Sequence, residues 1–236
     1  PRGFVGPAAR MAKRFGIGFQ LLQKLREKPA VEFDSGIRLR HIQQQAVDAM
    51  LPYQFGTLEA PTGSGKTVMA LHLVAFRSQP TLVIVHTKEL LEQWIDRIHH
   101  FLGIAKKDIG IIGGGKKRLG SHITVATYQS IRLMEDTAVV PHFGHLVVDE
   151  VHRCPSTTFT EVVERFDTKY QLGLSATPYR RDGLTPLIDW YVGEVKHRVP
   201  KDELLNAGQL CPALVLIRRT NWRAPSELDP SQKFAA

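Results

Sequence analysis

The stretch Ala60-Pro61-Thr62-Gly63-Ser64-Gly65-Lys66-Thr67 constrains the fold more than any other part of the chain. It follows an apolar run, Phe55 to Leu58, and precedes a helical pattern from Val68 to Arg77. A strand that enters a glycine-rich turn and continues directly into a helix is the setting of a polyphosphate-binding loop. Gly63 and Gly65 let the backbone curl so that the N–H groups of residues 62–67 converge on an anion. The helix adds its positive N-terminal end. Lys66 is then placed for the outer phosphates of a nucleoside triphosphate, and the Thr67 hydroxyl for Mg²⁺. The strict pattern opens with glycine where this chain has Ala60. The competing reading is a glycine-rich turn that carries a surface lysine.

The remainder of the chain fits the same architecture. Short apolar runs recur at Thr81–His86, Ile109–Ile112, Ile123–Ala126, Leu146–Val148 and Gln171–Leu174. Helical patterns fall at Ile42–Leu51, Glu89–Phe101 and Phe159–Phe166. Continuous Val/Ile/Leu runs bounded by polar turns suit strands covered on both faces. Their alternation with helices predicts an α/β fold with a mostly parallel central sheet flanked by helices on both faces. Ligands of such sheets sit at the carboxyl ends of the strands, where residues 60–67 fall.

At the end of one such run stand Asp149 and Glu150, followed by Val151 and His152. Mg²⁺ takes hard oxygen ligands and keeps several waters, so a single carboxylate, Asp149, suffices to hold it. Glu150 is then placed to polarise a water for attack on a phosphoryl group. Two solvated acids at a strand end are the alternative.

Together these residues resemble the first RecA-like P-loop NTPase domain of a superfamily 2 DEAD/DEAH-box-type helicase, close to the XPB-like and restriction-enzyme helicase subunits. Ala60–Thr67 is similar to motif I, in which alanine is acceptable at the first position. Asp149-Glu150-Val151-His152 resembles motif II and Leu174-Ser175-Ala176-Thr177-Pro178 motif III. Leu39–Ala46 resembles the adenine-reading segment, which makes Gln43, with Arg40 nearby, the expected adenine contact. An amide matches adenine's donor and acceptor edge together. Val85–Trp94 and Val125–Ser130 resemble motifs Ia and Ib. In the family these hold a nucleic-acid backbone, which nominates Thr87, Lys88 and Thr127. Both threonines are equally suited to cap helices. The resemblance further implies ATP and Mg²⁺, and it implies that His152, Ser175 and Thr177 couple the nucleotide to the nucleic acid. Tyr179–Gly183 resembles the Arg-Glu-Asp element of XPB-like enzymes, with Arg181 in place of the glutamate.

Of the 236 residues, 31 are Lys or Arg and 23 Asp or Glu, and the net charge of +8 is compatible with a nucleic-acid partner. Cys154 and Cys211 lack the spacing of a zinc site or a disulfide framework. No apolar run is long enough to span a bilayer, and no secretory signal is evident, so a soluble intracellular protein is expected.

Three regions are expected. A basic N-terminal extension covers 1–36, with a short helix at Met11–Leu25; the motor domain covers 37–220; and 221–236 form a tail or the start of a linker. The basic runs Lys106-Lys107 and Lys116–Arg118 read as solvated loops, and Trp94 as a core residue in register with Leu90, Leu91, Ile98 and Phe101.

The expected function is an ATP-hydrolysing motor on DNA, with RNA as the lesser possibility. A second RecA-like domain is absent from these residues, so weak ATPase activity and no unwinding are expected of this polypeptide alone. The alternatives are a duplex translocase, remodelling or restriction subunit that does not separate strands, a nucleotide-dependent DNA-binding module with little turnover, and another P-loop enzyme such as a nucleotide kinase.

Overall fold

A computed structural model describes residues 2–18, 20, 24–153, 156–177 and 183–211. Eight strands form one sheet: β1 (Phe55–Glu59), β2 (Thr81–Val85), β3 (Gly110–Gly113), β4 (Lys116–Arg118), β5 (Ile123–Thr127), β6 (His145–Val148), β7 (Tyr170–Ser175) and β8 (Val195–Arg198). Their order across the sheet is β4-β3-β5-β2-β6-β7-β1-β8. Every neighbouring pair is parallel except β3 and β4. The helices are α1 (Val5–Arg14), α2 (His41–Met50), α3 (Lys66–Arg77), α4 (Lys88–Leu102), α5 (Tyr128–Arg132), α6 (Asp136–Val139), α7 (Ser156–Val163), α8 (Thr185–Tyr191) and α9 (Lys201–Asn206).

Successive side chains of a strand point to opposite faces, so each fully buried strand feeds two cores. In β2, Val83 and Val85 join Met69, Leu73, Trp94 and Ile98 from α3 and α4. Leu82 and Ile84 turn the other way, toward Ile131, Phe159 and Ile188 from α5, α7 and α8. This double coverage is why β2 and β6 are legible as nearly continuous aliphatic runs.

The edges depart from the expectations. Lys116–Arg118 is an exposed edge strand, not a loop, and it hydrogen-bonds antiparallel to β3. Lysine-rich edges resist pairing with other chains, and they lack the apolar pattern that reveals buried strands. The opposite edge, β8, is only partly buried and carries a single aliphatic residue, Val195. The N-terminal helix is Val5–Arg14, not Met11–Leu25. Gly16 follows it in a left-handed conformation (φ 65°), as helix ends favour.

Residues 26–34 lie across the amino ends of the strands. Arg26 bridges to Thr168 and pairs with Asp167 at 2.8 Å. Gln79, which is buried, accepts from the Lys28 amide (2.7 Å) and donates to its carbonyl (3.0 Å). The Val31 amide donates to Ser78, and Phe33 packs on the larger core. No helix among the described residues is long and apolar enough to cross a membrane.

Candidate active site

Parallel pairing brings the chemistry-bearing loops to one end of the sheet. β1 runs beside β7 with Glu59 opposite Ser175, and the Ala60 amide donates to the Ser175 carbonyl at 2.9 Å. The first residue of the glycine loop is thereby fastened to the end of the motif III strand. β6, which delivers Asp149, lies between β7 and β2.

The loop depends on glycine at two positions. Gly63 and Gly65 have φ of 86° and 89°, conformations open to glycine and strained for other residues. A Cβ at Gly65 would also fall on the Gln43 Nε2 atom. Gln43 is 5% exposed, and both ends of its amide are engaged. Nε2 donates to the Ser64 carbonyl (2.9 Å) and Oε1 accepts from the Arg40 amide (3.1 Å). The amide keeps one N–H and one acceptor lone pair beyond these bonds. Arg40 reaches across to the Gln209 carbonyl oxygen of the side chain at 3.2 Å. A cavity of about 650 Å³ beside the loop is lined in part by Pro61, Thr62, Ala176, Arg198 and Lys201.

Lys66 and Thr67 open α3, as the first two residues of the helix. The Lys66 ammonium donates to the Ala60 carbonyl at 3.0 Å and stands 3.9 Å from Glu150 Oε1. Burial lowers its pKa, against the opposing pull of Glu150 and Asp149.

Asp149 is 7% exposed and held from two directions. Its Oδ1 accepts from the Glu150 amide at 2.9 Å, and its Oδ2 accepts from the Trp94 indole N–H at 2.8 Å. Burial pushes the Asp149 carboxyl upward, the Trp94 hydrogen bond pulls it down, and the charge of Glu150 raises it further. Burial is the largest cause of both shifts; a bound cation would favour the ionised carboxylate and a bound phosphate the charged lysine.

Glu150 takes a left-handed backbone (φ 48°), rare for a residue with a side chain. The Arg153 amide donates to its carbonyl at 2.8 Å, closing the turn that follows. The strain is of the kind concentrated at functional sites, on the order of 1–3 kcal/mol. Glu150 Oε2 is buried without a hydrogen-bond partner and lies 3.4 Å from His152 Nδ1.

Hydrogen-bond counting fixes the state of His152. Ser175 Oγ donates to the Thr177 carbonyl (2.7 Å) and accepts from the Thr177 amide (3.2 Å). Its one proton is therefore committed, and His152 Nδ1, at 2.8 Å, must be the donor. Burial lowers the His152 pKa, against the opposing charge of Glu150. Lys66, Glu150, His152, Ser175 and Thr177 thus form one chain of contacts.

Thr87 lies two residues beyond the end of β2, and Thr127 is the last residue of β5, paired with Val85. Both cap helices: Thr87 Oγ1 accepts from the Leu90 amide (3.2 Å), and Thr127 Oγ1 accepts from the Ser130 amide (3.4 Å). Lys88 is exposed at the start of α4. Segment 178–182, which carries most of the Arg-Glu-Asp-like element, lies outside the described residues, as do Cys154 and the tail from 212.

Trp94 is the functional neighbour the sequence reading missed. It was expected as core, and it is core at 1% exposure, but its N–H also meets Asp149. A buried indole requires an acceptor, and this was the available signal; it does not say which acceptor.

The chain is similar to several known proteins. Residues 36–180 match the family described as Type III restriction enzyme, res subunit (ResIII). The DNA 3'-5' translocase XPB2 of Sulfurisphaera tokodaii is 40% identical over 168 residues, 71% of this chain and 37% of that protein. The DNA 3'-5' helicase XPB of Kineococcus radiotolerans is 28% identical over 188 residues, 76% of this chain and 33% of that protein. The UvsW helicase from bacteriophage T4 superposes with a TM-score of 0.66 at 20% identity, over 83% of this chain and 78% of that one. The chain spans about a third of the length of these two curated relatives. It belongs to the ResIII family, and its fold is that of the RecA-like helicase domains on which it superposes.

Proposed function

We propose that this chain is the nucleotide-binding half of an ATP-dependent DNA motor. The observation that carries the reading is the convergence of Lys66, Asp149 and Glu150, which come from two loops far apart in sequence, within one partly buried site. The ResIII match and the DNA translocase and helicase relatives support the choice of DNA.

In this reading the backbone amides of residues 62–67 receive the phosphates and Lys66 exchanges its carbonyl partner for phosphate oxygens. The oxygen donors Asp149 and Thr67 suit Mg²⁺, which requires hard ligands and tolerates water in its shell. When bound, Mg²⁺ would neutralise charge on the phosphate oxygens. Glu150 orients and deprotonates the attacking water. Its buried, unpartnered oxygen and strained backbone are consistent with a carboxylate held for that purpose. The remaining N–H and lone pair of Gln43 face the base, with Arg40 beside it. His152, bonded to Ser175 and 3.4 Å from the Glu150 carboxylate, stands between it and motif III and in this reading relays nucleotide state to Thr177. Thr87, Lys88 and Thr127 receive the phosphodiester backbone of one strand through helix N-termini.

The arginine that stabilises transferring phosphoryl charge in such motors comes from a second RecA-like domain and commonly contributes ~10³–10⁵ in rate. This polypeptide alone is therefore expected to bind ATP well, hydrolyse it slowly and separate no strands. The test is phosphate release with and without single-stranded DNA, for wild type and Lys66→Ala. Hydrolysis that DNA stimulates and the substitution abolishes supports the reading. Hydrolysis indifferent to both refutes it. Strand-displacement and triplex-displacement assays on a chain extended through the second domain separate a helicase from a duplex translocase.

A further inference from the structure

Trp94 makes a contact that packing alone does not require. Its ring sits in the larger core beside Leu91, Ile95, Ile98 and Leu102 of the same helix. Phenylalanine or leucine could fill such a place. Only the indole adds a donor, and it is aimed at Asp149 Oδ2 at 2.8 Å with both residues buried. The Glu150 amide holds the other oxygen. Two donors from different elements therefore fix the plane of one carboxylate, and hydrogen bonds to an ionised acceptor are the strong ones.

The location of that donor gives the contact a second consequence. α4 begins at Lys88 and is capped by Thr87, the end nominated for nucleic-acid backbone. Trp94 lies seven residues further along, about two turns or roughly 10 Å of rigid helix. α4 also packs on α3, which starts at Lys66. Any shift of α4 at its Thr87 end carries the indole with it.

We infer that Trp94 is a positioning residue. Its indole N–H orients the Asp149 carboxylate for Mg²⁺, and through α4 it ties that orientation to engagement of the Thr87 end by a nucleic-acid backbone. The inference rests on the function proposed above.

Trp94→Phe keeps an aromatic ring and deletes the donor. In the full polypeptide, calorimetric titration measures ATP binding with Mg²⁺ and again in EDTA. The expected result is that the affinity gained from Mg²⁺ falls about tenfold, in line with the loss of one hydrogen bond to a charged group, while EDTA binding is unchanged. An equal loss in both conditions, or no loss in either, overturns the inference, because a purely structural ring would not act through the metal.

A second measurement needs no destabilising change. With ¹⁵N-labelled tryptophan in the wild type, the Trp94 Nε1–H resonance, assigned by removing Trp190 and Trp222, should move on addition of Mg²⁺ with a non-hydrolysable ATP analogue. It should move again on addition of a single-stranded oligonucleotide. A resonance that ignores the metal overturns the positioning role, and one that ignores the oligonucleotide overturns the link through α4. Wild-type protein that binds no nucleotide in any condition brings down the proposed function and this inference together. Normal binding by wild type and an indistinguishable Trp94→Phe variant bring down the inference alone.

Discussion

Gln43→Ala tests whether one amide supports the phosphate loop as well as meeting the base. In the wild type this side chain is buried and makes two hydrogen bonds, to the Ser64 carbonyl at 2.9 Å and from the Arg40 amide at 3.1 Å. Alanine removes both. A neutral hydrogen bond contributes about 1 kcal/mol net, so the pair amounts to about 2 kcal/mol. For a domain of this size that lowers the melting temperature by roughly 4–8 °C. One of the two bonds holds the turn between Gly63 and Gly65, so about 1 kcal/mol of order leaves the phosphate cradle. Triphosphate binding then weakens about fivefold. This loss acts on phosphates and is blind to the base, so ATP and GTP weaken by the same factor. Any additional loss for ATP measures the adenine contact. Displacement of a fluorescent nucleotide and thermal melting supply the two readings. A variant that loses ATP alone, keeps its GTP affinity and melts like wild type refutes the view that Gln43 supports the loop.

Three further outcomes are expected. Gly65→Ala forces a side chain into a left-handed conformation and onto Gln43, so nucleotide affinity should drop at least tenfold while circular dichroism stays native. His145 is fully buried and accepts at Nε2 from Arg77 at 3.0 Å; Arg77 is itself pulled down to about 10 by burial, and burial together with the Arg77 charge holds the His145 pKa well below its ordinary value. The unfolded chain binds a proton there before the folded one does, so stability present above the ordinary histidine pKa is lost as pH falls below about 6.5, at up to ~1.4 kcal/mol per pH unit. His145→Gln, which retains an acceptor for Arg77, should reduce the proton uptake on unfolding by about one at pH 5.5 in urea titrations. Gln79→Ala removes both bonds to Lys28, which should expose residues 24–34 to limited proteolysis and lower stability by about 1–3 kcal/mol.

The legible parts of the fold are those in which burial fixes the sequence pattern. β2 and β5 are buried along their whole length, and the apolar runs Thr81–His86 and Ile123–Ala126 mark them in the sequence. β4 and β8 are edges, and Lys116–Arg118 carries no apolar signal because its side chains meet solvent. Lys66, Thr67, Asp149 and Glu150 were readable because phosphate and metal chemistry dictate residue type and spacing. Contacts that depend on tertiary geometry were not. Trp94 and Asp149 are 55 positions apart, and no local pattern pairs them. The amide of Gln43 was expected at a nucleobase, whereas two of its bonds go to the Ser64 carbonyl and the Arg40 amide. The N-cap roles of Thr87 and Thr127 were open from sequence because a threonine at a strand–helix junction suits either duty; in the structure both hydroxyls cap their helices.

The central claim is that Glu150 activates water beside a nucleotide held by Lys66 and Asp149. Glu150→Gln tests it most directly, because the amide preserves shape and cannot take a proton. Calorimetry on this variant should give ATP affinity within about twofold of wild type, while single-turnover phosphate release falls by about 10²–10⁴. Phosphate release at the wild-type rate from a variant that binds ATP normally would contradict the account.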